Sequence, residues 1–229
     1  MDFSFGALTL AASFLTTASL AYYAFTPPNP MPAKAWPKDS LMRYQGPRQR
    51  NLSLTLLFLG WFYHIFLILF PPSSPSILCP HPSQLDPKFF IWSPYTTLFI
   101  LLIYIAAPIR LLAFKQLGQN FTFMLARPKK LITTGMYTYV RHPSYPTLLV
   151  CHIASGALIM RSRGITGCWL PAWLAQWSFL DVGVVLFPVI NLCALLVRVR
   201  EEEEMLKSEF GEEYKAYARR TKRFLPWII

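Results

Sequence analysis

Two short polar motifs, Arg141-His142-Pro143-Ser144-Tyr145 and Arg200-Glu201-Glu202-Glu203-Glu204, bracket a strongly apolar stretch from Leu148 to Val199. Polar groups that flank membrane-length apolar sequence and can fold back onto each other place a candidate site at a bilayer surface. Each motif also has a plainer reading. Arg141, His142 and Tyr145 are the types that anchor helix ends at an interface, with Pro143 suited to a first helical turn. Glu201–Glu204 starts a helix on which Val199, Leu206, Phe210, Tyr214 and Tyr217 recur near the 3.6-residue period, with Gly211 as an irregularity. On that reading the glutamates form a solvated face, and Glu203 pairs weakly with Lys207 four residues on.

Several chemistries are excluded by what is missing. The ten glycines never occur as Gly-x-Gly, so neither a dinucleotide-binding turn nor a P-loop can be built. His64, His81, His142 and His152 form no HxxxH or HExxH pattern. The four cysteines, Cys79, Cys151, Cys168 and Cys193, show no CxxC and no nearby histidine at ligand spacing, so they read as structural thiols and no metal site is expected.

The elements that must position the two motifs are membrane helices. Of 229 residues 54% are hydrophobic and 14% charged, with mean hydropathy +0.35, too apolar for an ordinary soluble domain. Apolar runs long enough for ~30 Å of hydrocarbon fall at Phe5–Phe25, Leu52–Phe70 and Tyr95–Phe114. A shorter one covers Tyr145–Met160, and a long one covers Trp169–Val197, with Gly183 and Pro188 marking where it would break. The expected fold is therefore all-α and integral to the membrane, with about five transmembrane helices and a cytosolic amphipathic helix over 198–220. The first run has Asp2 and no basic residue before it, and Tyr22-Tyr23-Ala24-Phe25 lacks a small-residue cleavage pattern, so it reads as a retained helix.

Basic residues alternate between loops. Lys34, Lys38, Arg43, Arg48 and Arg50 fall in the first, and Lys115, Arg127, Lys129, Lys130 and Arg141 in the third. Eight more follow Val197, while the second loop has Lys88 and the fourth Arg161 and Arg163. The positive-inside rule then puts the N-terminus in the lumen and both motifs in the cytosol. The net charge of +11 follows from this topology and from attraction to anionic membrane lipid; no nucleic-acid partner is needed to explain it. The proline-rich segments Thr26–Pro37 and Pro71–Pro87 read as extended connectors. Asp181 reads as a helix cap and Arg110 as a snorkelling residue.

Taken jointly, three blocks are specific: Leu117-Gly118-Gln119-Asn120-Phe121; Thr134 through Tyr145, closing on Arg141-His142-Pro143-Ser144-Tyr145; and Glu202-Glu203-x-x-Leu206-x-x-x-Phe210-Gly211-x-x-Tyr214-x-x-Tyr217, followed by Arg223-Phe224-Leu225-Pro226. This arrangement, over roughly 115–227, resembles the isoprenylcysteine carboxyl methyltransferase family. The resemblance implies a catalytic region at 115–229 behind a scaffold at 1–114, S-adenosylmethionine as methyl donor, a prenylcysteine at a protein C-terminus as acceptor, and residence in the endoplasmic reticulum membrane. It places His142, Tyr145, Glu202 and Glu203 in the cofactor pocket and makes Arg141 and Arg200 the arginines that orient carboxylates. The terminal Pro226-Trp227-Ile228-Ile229 is no CaaX box, so prenylated protein would be met as substrate.

The family motif usually has glycine where this chain has Thr147, which bears on the pocket's dimensions and on the substrate. Methyl transfer to a carboxylate needs no strong base, because the acceptor is already ionised at neutral pH; alignment, desolvation and an arginine fork suffice. The rival classes are a membrane phospholipid N-methyltransferase, an NADPH-dependent sterol reductase relative, and a non-catalytic lipid-binding homologue.

Overall fold

The computed structural model describes residues 4–30, 32, 36–37, 39–40, 47–176 and 179–226. Lys34, Lys38 and Arg43 of the first basic loop, and Trp227, Ile228 and Ile229 at the end, lie outside the described residues. Among the described residues six α-helices follow: α1 (Phe5–Phe25), α2 (Pro47–Leu69), α3 (Pro94–Leu117), α4 (Ser144–Ile159), α5 (Ala172–Gln176) and α6 (Phe179–Arg220). Among the described residues the only extended pairing is an isolated parallel bridge between Val140 and Lys222.

Local sequence accounts for most helix ends. Ser4 caps α1 by accepting the Ala7 N–H. Ser93 and Thr96 form a reciprocal capping box at α3, where Pro94 occupies the first turn. Helices α1 to α4 share one core, in which Phe14 packs against Trp61 and His64. In hydrocarbon this association rests on close packing rather than on expelled water. Gly60 shows it: a Cβ there would lie 2.9 Å from Ile159 Cγ2, so only glycine lets α2 approach α4 this closely.

Among the described residues four helices are long and apolar enough to cross a membrane, starting at Phe5, Arg48, Pro87 and Asp181, and they define a multi-pass membrane protein. The expected fourth span is shorter than that. At 16 residues, α4 covers ~24 Å of axis and is buried by its neighbours along Ala154, Ser155, Gly156 and Ala157. The last span also differs from expectation. Helix α6 runs without interruption through Gly183, Pro188 and the expected boundary at 197/198, so the amphipathic helix is its continuation. The break falls instead at Gly211 (φ 52°, ψ −119°), a conformation natural to glycine.

Three further expectations are corrected. Cys79 and Cys168 form a disulfide, leaving buried Cys151 and exposed Cys193 as free thiols. It ties the α2–α3 loop to the segment after α4, which also meet through Asp86 N–H to Arg163 O (2.9 Å) and His81 N–H to Cys168 O (3.1 Å). The α2–α3 loop carries two 3₁₀ turns, Pro82–Gln84 and Pro87–Phe89, rather than being wholly extended. Asp181 lies inside the first turn of α6 and reaches across to Ser162, accepting from its N–H (3.1 Å) and hydroxyl (3.0 Å), with Arg161 at 3.3 Å.

Arg110 does not snorkel. It is 2% exposed, because it faces the bundle where α1 ends and α4 begins. Its Nε–H donates to Ala24 O (2.7 Å) and its Nη1–H to Ser144 O (2.8 Å), over the Phe114 ring.

Candidate functional site

The segment before α4 is pinned by main-chain bonds to the segment after α6. Arg141 N–H donates to Lys222 O (2.8 Å), His142 N–H to Arg223 O (2.9 Å) and Lys222 N–H to Tyr139 O (3.1 Å). The Arg141 Nη1–H closes the end of α6 by donating to Ala218 O (2.8 Å) and Thr221 O (2.6 Å), where helix carbonyls lack partners and a cation opposes the helix dipole. The break at Gly211 redirects the last turns, and Tyr214 and Tyr217 are buried there, the Tyr217 hydroxyl donating to Tyr137 O (2.8 Å).

This folding back brings the two motifs together. The Tyr145 hydroxyl donates to Glu202 Oε2 at 2.7 Å. His142, 3% exposed, lies between the carboxylates, with Nδ1 3.6 Å from Glu202 Oε2 and Nε2 3.4 Å from Glu203 Oε1. Nε2 is close to Glu203 without hydrogen-bonding alignment and is buried without another partner. Glu203 accepts from Arg141 Nε (3.1 Å) and from Arg223 Nε (3.1 Å) and Nη2 (2.8 Å). It therefore turns away from the expected partner Lys207. The carboxyl stands beyond the apolar part of α6, and burial alone would raise its pKa. The closeness of His142, the hydrogen bonds from Arg223 and the charge of Arg141 overcome that and hold it at about 2.

Arg200 is exposed and outside this cluster. Arg198, which sequence reasoning passed over, is buried instead. Its Nη1 pairs with Asp39 Oδ1 at 2.7 Å, its Nη2–H donates to Phe123 O, and its guanidinium also meets the Tyr145 hydroxyl. Asp39 in turn accepts the Leu125 N–H at 2.7 Å. The neighbouring Ser40 donates its N–H (3.2 Å) and hydroxyl to Glu201. Glu201, Glu202 and Glu203 are thus all engaged, which rules out a merely solvated face. The signal for Arg198 was present in the helix period, since it stands four residues before Glu202 on the face of Leu195, Val199 and Met205. Nothing in the sequence pointed to Asp39 or Ser40.

Thr147, where the resemblance leads one to expect glycine, turns its hydroxyl onto its own helix and donates to Ser144 O at 2.9 Å. His142 adjoins two carboxylates and no nucleophile. The site combines acceptors (Glu202, Glu203), donors (Arg141, Arg198, Arg223, Tyr145) and aromatic faces (Tyr145, and Phe224 with its centroid 6.3 Å from His142). Such a set suits a zwitterionic ligand with a flat ring better than a simple anion.

Fold and site together define a helical multi-pass membrane protein with a cluster of polar side chains at one end of the bundle. Residues 98–182, which include the Arg141–Tyr145 motif, match the model of the isoprenylcysteine carboxyl methyltransferase (ICMT) family. Over those residues the chain is similar to this family. It is 30% identical over 124 residues to a protein-S-isoprenylcysteine O-methyltransferase of Dictyostelium discoideum, covering 52% of this chain and 44% of that protein. For the protein of the same name from Schizosaccharomyces pombe the figures are 28% over 143 residues, 61% and 52%. For the Homo sapiens one they are 31% over 115 residues, 48% and 34%. The chain thus spans about half the length, or less, of these relatives.

Proposed function

We propose that this protein transfers a methyl group from S-adenosylmethionine to the C-terminal carboxylate of prenylcysteine on prenylated proteins. We place it in the endoplasmic reticulum membrane with the N-terminus lumenal and the site facing the cytosol. The observation that carries this reading is the meeting of His142 and Tyr145 with Glu202 and Glu203 at the end of an apolar bundle.

The donor set fits the cofactor. An amino-acid ammonium finds Glu202, a carboxylate finds arginine, and a ring finds Tyr145 and Phe224, while buried His142 Nε2 lacks a partner. When bound, the cofactor supplies a methyl group activated on a sulfonium. The protein's part is to bind, align and keep water away from an acceptor carboxylate that is already ionised. Arg141 holds Glu203 in place and acts as a positioning residue; exposed Arg200 is assigned the acceptor carboxylate. The region 115–229 carries the chemistry, with 1–114 as scaffold and Asp39 and Ser40 as its contribution to the site.

The apolar half of α6 is open on one side, with Val185 64% and Ile190 65% exposed. A prenyl chain already dissolved in lipid can reach the site from there. The disulfide supports the topology. It joins the two loops poor in basic residues, and disulfides persist in the lumen rather than the cytosol.

The test is transfer of labelled methyl from S-adenosylmethionine to N-acetyl-farnesylcysteine by the purified protein in detergent. A base-labile methyl ester is expected. Cofactor binding with no ester, but with methylated lipid amines, would replace the reading by phospholipid N-methylation; absent cofactor binding would overturn methyl transfer altogether. Glu203→Ala is expected to abolish cofactor binding in the same assay, and binding at the wild-type level would remove that residue from the pocket.

A further inference from the structure

Outside the site, α1 and α2 leave between them an open groove of about 750 Å³. Its walls are apolar, with Leu15 and Tyr22 on one side and Leu54, Phe58 and Phe62 on the other. Both helices are membrane-spanning candidates, so hydrocarbon rather than water fills such a groove.

One end is different. Where α1 stops and α2 begins, the groove meets Thr26 and Arg50. Arg50 Nε, Arg50 Nη1 and Thr26 Oγ1 are all withdrawn from solvent and have no hydrogen-bond partner among the described residues. Arg50 Nη2 makes one long bond, 3.3 Å, to Asn51 Oδ1. Buried donors are rarely left unmade, and three at one end of an apolar groove mark the place of an absent acceptor.

We propose that this groove binds one anionic phospholipid. Its phosphate accepts from Arg50 Nε–H, Arg50 Nη1–H and the Thr26 hydroxyl, and one acyl chain lies along Leu54, Phe58 and Phe62. A phosphate offers several acceptor oxygens to a guanidinium fork, and the first turn of α2 adds its favourable dipole. The dimensions agree. From Arg50 to Phe62 the groove follows ~18 Å of helix axis, against ~15 Å for half of the hydrocarbon core. Net negative charge is selected because no carboxylate pairs with Arg50 among the described residues, and the first loop is rich in basic residues.

The full chain, stripped of lipid in detergent, is titrated with phosphatidylserine and with phosphatidylcholine and read by native mass spectrometry. One phosphatidylserine is expected to bind, preferred about fivefold, the factor that ~1 kcal/mol for one basic residue beside a net negative headgroup represents. Arg50→Ala removes the preference, and Arg48→Ala, an exposed neighbour, keeps it. A phosphatidylserine with a photoreactive acyl chain tests the same point on the unaltered protein, with crosslinks expected between Leu54 and Phe62. Equal binding of the two lipids, equal behaviour of the two variants, or crosslinks away from the groove would each overturn the proposal.

Discussion

Arg198 and Arg200 are two residues apart on one helix, and their surroundings are opposite. Arg198 is buried against Asp39, and Arg200 is exposed. Removing one partner of a buried ion pair takes from the other the opposite charge closest to it. Arg198→Ala should therefore cost about 3 kcal/mol of stability, whereas Arg200→Ala should change it by less than about 0.5 kcal/mol. Chemical unfolding in detergent distinguishes the two, and equal effects would deny the Asp39 pair its role.

Glu203 makes a pH prediction. Its pKa is depressed from 4.5 to about 2 in the folded protein, so the unfolded chain takes up the proton first as pH falls. The contribution is complete above the unfolded value and is lost between about 4.5 and about 2. The unfolding temperature should fall through that window, and Glu203→Gln should flatten the fall. An unchanged slope in the variant would place the acid sensitivity elsewhere.

At the scale of elements, two glycines set how helices meet. Gly60→Ala brings a Cβ to 2.9 Å from Ile159 Cγ2, on a β-branched side chain that cannot swing aside cheaply. The expected cost is about 1–3 kcal/mol, partly recovered by adding Ile159→Leu, which removes that methyl. Additive costs of the two changes would mean that α2 and α4 are not limited by this contact. Gly211 has open space around it, so Gly211→Ala is opposed by its backbone conformation alone, by about 1 kcal/mol. Because the break aims Tyr214 and Tyr217 at the segment before α4, this variant should also weaken cofactor binding, which a purely local strain would leave unchanged.

For the whole molecule, the disulfide is the feature most open to direct measurement. Denatured without reductant, the protein should take up thiol reagent at Cys151 and Cys193 only, and after reduction at Cys79 and Cys168 as well. Cys79→Ser should lower stability by about 2–4 kcal/mol, since the bridge closes a long loop. Labelling of all four cysteines without reductant, in protein from its native membrane, would remove the support that the bridge lends to a lumenal position of both loops.

The linear sequence by itself determined the all-α membrane class and the first three spans, while the grouping of His142, Tyr145, Glu202 and Glu203 was what the family resemblance implied. Hydrocarbon thickness and helical period act on consecutive residues and can be counted along the chain. Tertiary structure decided the rest. The short α4 depends on being enclosed by its neighbours. The continuity of α6 through Pro188 depends on the helix as a whole, and the Cys79–Cys168 bridge on two loops meeting 89 residues apart. The burial of Arg110 and of Arg198 depends on which carbonyls and carboxylates lie opposite each guanidinium. Those partners, Ala24, Ser144, Asp39 and Phe123, come from four distant segments, and no local spacing encodes their approach.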